Sequence, residues 1–166
     1  MKKMSLRVFV AFILIVLSTG SALAASSMVV LSVQPIPTSE AKLLYIKITC
    51  SAETDGTFTN ETFDATDFGY NYTRAGYALI DAWAVNGAAT YPTSAGTVTL
   101  ADTSARQLVG ATAGDTLTVS TSASGVAQLL VERGSGQRRI VDRMVISIGN
   151  IGASKIFTLH MLFQKP

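Results

Sequence analysis

The stretch Arg143-Met-Val-Ile-Ser-Ile-Gly-Asn-Ile-Gly-Ala-Ser-Lys-Ile-Phe-Thr-Leu-His-Met-Leu-Phe163 carries more apolar weight at period two than any other part of the chain. Met144, Ile146 and Ile148 share one side of the first run, and Phe157, Leu159, Met161 and Phe163 share one side of the second. Successive side chains of an extended strand point to opposite faces, so each row predicts a strand with one buried face. The Gly149-Asn-Ile-Gly152-Ala-Ser break between them offers residues that tolerate positive φ, and the whole reads as a β-hairpin at the centre of a sheet.

Working outward, the same alternation recurs in short pieces. Lys42–Cys50 alternates Leu44, Ile46, Ile48 and Cys50 with Tyr45, Lys47 and Thr49. Residues 76–85 place Leu79, Asp81, Trp83 and Val85 on one side and Ala78, Ile80, Ala82 and Ala84 on the other. Small residues on one face let another layer approach closely. Thr97–Ala101, Arg106–Gly110, Thr116–Thr121, Val126–Glu132 and Arg138–Val141 add compact strands. Asp55-Gly56, Asn86-Gly87 and Gly134-Ser-Gly136 supply turns. Met28–Val33 runs into Pro35 and Pro37, which cannot donate to a ladder, so it reads as an edge strand or lead-in arm. Eight or nine short strands without an amphipathic helix predict an all-β, antiparallel sandwich, Ig-like or jelly-roll-like, over residues 42–166, with residues 25–41 as its arm or edge.

The first residues read differently. Lys2, Lys3 and Arg7 open the chain, Val8–Leu17 is unbroken apolar sequence, and Ala22-Leu-Ala24 is a small-x-small cleavage box. Residues 1–24 are therefore expected to be a signal peptide, removed to leave Ala25 first. A retained anchor is the competing reading, since a span needs ~20 mostly apolar residues. Removing 24 of 166 residues takes Lys plus Arg from 13 to 10 against 11 acids, a formal net charge of −1. The basic balance belongs mostly to the leader, so composition gives no support to nucleic-acid binding.

Cys50 is the only cysteine, which excludes an internal disulfide, and its place on the Leu44 face predicts a buried, inert thiol. His160 is the only histidine and faces away from the Phe157 row. Clustered Cys or His for a metal and a G-x-S-x-G elbow are both missing, so no cofactor is expected. The carboxylate pairs Asp64 with Asp67 and Asp81 with Asp102 keep a secreted hydrolase as an alternative, with Asp81 and His160 its participants. Oxygen donors at Glu53, Asp55, Asp64 and Asp67 lack the D-x-D-x-D-G pattern of a calcium loop.

Aromatics are the stronger signal. Phe63, Phe68, Tyr70, Tyr72, Tyr77, Trp83 and Tyr91 crowd one region, and Tyr and Trp combine an apolar face with a polar handle suited to interfaces and sugars. Core packing under a loop accounts for the same crowding. Arg138 and Arg139, with Arg133 and Arg143, flank the Gly134 turn as a solvated tip or an anion-facing patch. Tyr70, Tyr72, Tyr91, Arg138 and Arg139 form the candidate interaction surface. Sequons at Asn60-Glu-Thr62 and Asn71-Tyr-Thr73 matter only in a glycosylating host.

The run Val98-Thr-Leu-Ala-Asp102-Thr-Ser-Ala-Arg-Gln-Leu108-Val-Gly110, followed by Val145-Ile-Ser-Ile-Gly149-Asn-Ile-Gly152 and a last apolar strand, resembles small β-sandwich structural proteins of tailed phages and prophages. The resemblance implies a non-enzymatic virion or surface-assembly role; the leader departs from it, because virion proteins assembled in the cytoplasm need no export. The reading drawn from the residues is an exported, non-enzymatic structural or binding protein. It would act by self-assembly or by recognising a protein partner, with no membrane span after cleavage.

Overall fold

The structure is a computed structural model, and it describes residues 25–37, 42–63, 67, 78–102, 107–109, 117–129 and 143–165. Ten strands lie among them: β1 (Ser27–Pro37), β2 (Lys42–Ser51), β3 (Glu61–Phe63), β4 (Ala78–Asn86), β5 (Thr97–Asp102), β6 (Gln107–Val109), β7 (Leu117–Thr118), β8 (Val126–Leu129), β9 (Met144–Ile148) and β10 (Ile156–Lys165). Sheet A runs β1-β2-β10-β4-β8, and sheet B runs β3-β9-β5-β6 with β7 also paired to β5. Every pairing is antiparallel. The all-β sandwich expected from the alternation is what the chain forms.

One buried cluster joins the two sheets. Leu44, Ile46, Ile48 and Cys50 from β2 and Phe157, Leu159, Met161 and Phe163 from β10 meet Val98 and Leu100 from β5 and Met144, Ile146 and Ile148 from β9. Both period-two rows of the opening stretch are thus core rows, as their alternation requires. Ala82 and Ala84 face the same gap, so the small side of β4 is the side that meets the other layer.

The expected closing hairpin is absent. β9 belongs to sheet B and β10 to sheet A, so residues 149–155 arch from one layer to the other. Two apolar rows facing one gap satisfy alternation whether they share a sheet or oppose each other, and Ile151 decides between them. It is fully buried, and the backbone around it bonds to other segments: Ile151 N–H to Gly56 O (3.2 Å), Thr93 N–H to Ile151 O (2.9 Å) and Ser154 N–H to Glu53 O (2.8 Å). Pinned to the end of the core, the link cannot close a tight turn. Positive φ falls at Gly152 (96°) and Ser154 (52°), not at Gly149 or Asn150.

Two further expectations shift. A β-bulge in β4 pairs Leu162 with Asp81 and Phe163 with Leu79, leaving Ile80 as the extra residue. An extra residue inverts the alternation beyond it, so Leu79 faces the core with Ala82 and Ala84, while Asp81, Trp83 and Val85 face out. Asp81 is therefore on the outer side of sheet A, not turned inward with Leu79. The second shift concerns β1, which continues past Pro35 to Pro37. It can do so because it has no neighbour on its other side among the described residues, where a missing N–H costs no ladder bond. The Arg138–Val141 strand and the Gly134 turn lie outside the described residues.

Candidate functional site: the outer face of sheet A

Register places the outward side chains of sheet A in cross-strand rows. Val29, Thr49, Thr158, Val85 and Val126 form one; Ser32, Lys47, His160, Trp83 and Gln128 the next; Gln34, Tyr45, Leu162 and Asp81 a third. An antiparallel sheet with one face in water ordinarily shows polar residues on that face. The outer side of sheet B obeys this with Thr62, Ser147, Thr99 and Thr97 beside Val145 and Ala101. Sheet A does not. Its centre is aromatic, and on its edge strands, beside Ser32, Gln34 and Gln128, Val29 is 53% and Val126 61% exposed. All four exposed large apolar side chains among the described residues, Val29, Leu31, Ile36 and Val126, belong to its two edge strands.

Three rings stand together at the centre. Trp83 and His160 are direct cross-strand neighbours and stack with centroids 5.1 Å apart and planes 10° from parallel. Tyr45 lies 6.0 Å from Trp83 and 5.9 Å from His160. The Tyr45 hydroxyl meets His160 Nδ1 at 2.6 Å. Burial holds His160 below the ordinary histidine range, helped by the Lys47 ammonium beside it, and burial raises Tyr45. Near neutral pH the ring is therefore uncharged and the phenol protonated. With the ring proton on Nε2 the hydroxyl donates to Nδ1, and with the proton on Nδ1 it accepts.

The sign of the pH effect follows. Unfolded chains take up the His160 proton at higher pH than the folded one does, so its contribution to stability is complete above about pH 6.5. It is lost as pH falls from there through the lower folded value. Thermal melts of the wild type should fall with pH across that window, and His160→Gln should flatten this part of the profile; equal slopes would contradict the assignment.

Beside the rings, Gln128 Nε2 donates to Asp81 Oδ2 at 3.1 Å, while Asp81 Oδ1 is buried and has no hydrogen-bond partner. A buried carboxylate oxygen without a donor is costly and is rarely left so in native proteins. The face thus holds a cation at Lys47 and an under-satisfied anion at Asp81, on opposite flanks of β10.

The other sequence candidates are placed as follows. Tyr70, Tyr72, Arg138 and Arg139 lie outside the described residues, as does Asp64. Tyr91 is half-buried in the link from β4 to β5, next to buried Pro92. Asp102 ends β5 in sheet B, the sheet that Asp81 faces away from. Asp67 is exposed. The Asp55 carboxylate is taken up by Thr57, accepting from its N–H at 2.9 Å and its hydroxyl at 2.6 Å, which holds it below the usual carboxylate range. His160 and Asp81 share the outer face, yet the histidine's partner is Tyr45 and the aspartate's is Gln128. Tyr45, Lys47 and Gln128 escaped the sequence reading, although the alternation of Leu44-Tyr-Ile-Lys-Ile48 already marked Tyr45 and Lys47 as outward.

Cys50 is buried among the core side chains, and burial pushes its thiol up to about 12. Since the folded value lies above the unfolded one, the thiol's contribution is intact below about pH 9 and is lost as pH climbs from there towards the folded value. A thiol reagent at pH 8 should label Cys50 only as fast as the native protein opens; prompt labelling would contradict its burial.

Comparison with known proteins finds no matching family model, no similar curated protein and no similar solved structure.

Proposed function

We propose that this is an exported, non-enzymatic structural or binding protein that works by assembling with a protein partner or with itself through the outer face of sheet A. One observation carries the reading: the sandwich closes its core between the sheets and still presents, on the opposite side of sheet A, three clustered aromatic rings on β2, β4 and β10 and exposed apolar side chains on the edge strands β1 and β8. Exposed apolar patches rimmed by polar groups mark interaction surfaces, and Tyr and Trp are enriched in them. The leader-like residues 1–24 support export, with Ala25 as the first residue of the working protein.

The test is crosslinking in the producing cells followed by mass spectrometry of the adducts. Wild type should yield crosslinked species whose protein begins at Ala25. Trp83→Ala and Val126→Lys, each confirmed folded by circular dichroism, should lose them. Adducts that survive both substitutions, or no adducts at all, would overturn the reading.

A further inference from the structure

We propose that the outer face of sheet A is a self-complementary interface that joins two copies of this chain face to face, with Lys47 of each copy meeting Asp81 of the other. The inference rests on the assembly reading above and names its partner. Lys47 on β2 and Asp81 on β4 are each one strand away from β10, on opposite sides and in adjacent rows, His160 and Leu162 lying between them. A two-fold axis lying in the interface and crossing β10 obliquely between those rows exchanges the two flanks. Each ammonium then comes over the other copy's carboxylate. A closed dimer needs this kind of patch, one that complements itself when rotated onto its copy.

Each charge is open to that pairing. Among the described residues no carboxylate bridges Lys47, and while Asp81 Oδ1 is buried, its Oδ2, held by Gln128 in an exposed hydrogen bond, is the oxygen that a partner's lysine would meet. Around the pair, the Tyr45, Trp83 and Leu162 side chains give each copy an apolar centre, and Val29 and Val126 extend it to both edges. Size agrees as well: five strands at ~4.8 Å and ten residues at ~3.3 Å span roughly 800 Å² at full extent, about what one partner contributes to a standard interface.

Sedimentation velocity on the purified protein lacking residues 1–24, over a range of concentration, tests the contact. Wild type should dimerise. Lys47→Glu and Asp81→Lys should each weaken the dimer by at least about tenfold, the loss typical when one member of an interfacial charge pair is reversed. The double variant carrying both should regain it, while Gln128 keeps a hydrogen bond to the new lysine through its Oε1. A wild type that is monomeric throughout, or a double variant no tighter than either single one, would overturn the homotypic contact. If crosslinking in cells still captures a different protein through Trp83, the assembly reading stands without it; if that too is absent, both fall.

Discussion

Phe157→Ala should destabilise the domain by about 3–5 kcal/mol, the range for a phenylalanine removed from a packed core. The ring is 1% exposed, meets Phe58 edge to face at 6.5 Å between centroids, and sits in β10, which pairs on both sides. Its backbone partners are Cys50 on β2 and Asn86 on β4, so the cavity would open where three strands meet the arch. A loss of that size consumes much of an ordinary domain's 5–15 kcal/mol stability. Urea unfolding of the variant should show a midpoint far below wild type with an unchanged slope; a shift equivalent to less than about 1 kcal/mol would mean that the site collapses around the loss.

Gly56→Ala should cost roughly 2–4 kcal/mol, from two sources that add. Its φ of 88° lies where a side chain is strained, and a Cβ there would come within 2.6 Å of Asn150 Oδ1 and 2.8 Å of the Gly152 carbonyl carbon. Neither neighbour is free to move. Asn150 Nδ2 donates to Asp55 O and its Oδ1 accepts from Gly152 N–H, while Gly56 O itself accepts from Ile151 N–H. The turn after β2 and the arch before β10 are therefore one bonded unit, and pushing on either end disturbs both. Gly87→Ala is the control. A Cβ at that exposed position meets nothing within 4 Å, so thermal melts should place it near wild type and Gly56→Ala well below.

These residues also show how far sequence reaches. Alternation marked both core rows of the opening stretch, the buried side of β2 and the outward position of His160, because burial of one strand face leaves its pattern on every second residue. It could not tell whether Met144–Ile148 and Phe157–Phe163 pair with each other, since a hairpin and an arch bury the same side chains. Ile151, a single apolar residue inside a polar break, was the available clue. The bulge at Ile80 was silent for a related reason: Asp81 in phase with Leu79 looks the same until the partner strand shows the extra residue. The candidate site was legible only in pieces. Trp83, His160 and Asp81 were singled out separately, and Tyr45 was read merely as the outward side of a strand. What unites them is that β10 lies between β2 and β4, which depends on strand order and leaves no local trace.

That order also sets a schedule. β10 follows in sequence every strand it holds together, so β2 and β4 have no permanent neighbour between them until residues 156–165 have been made. Contacts spanning so much of the chain close slowly, because the loop entropy is spent before the bonds form. Until then the long edges of two apolar strands stay open, and sheet A cannot close. During that delay a chaperone that covers those edges would protect the chain from pairing with its neighbours.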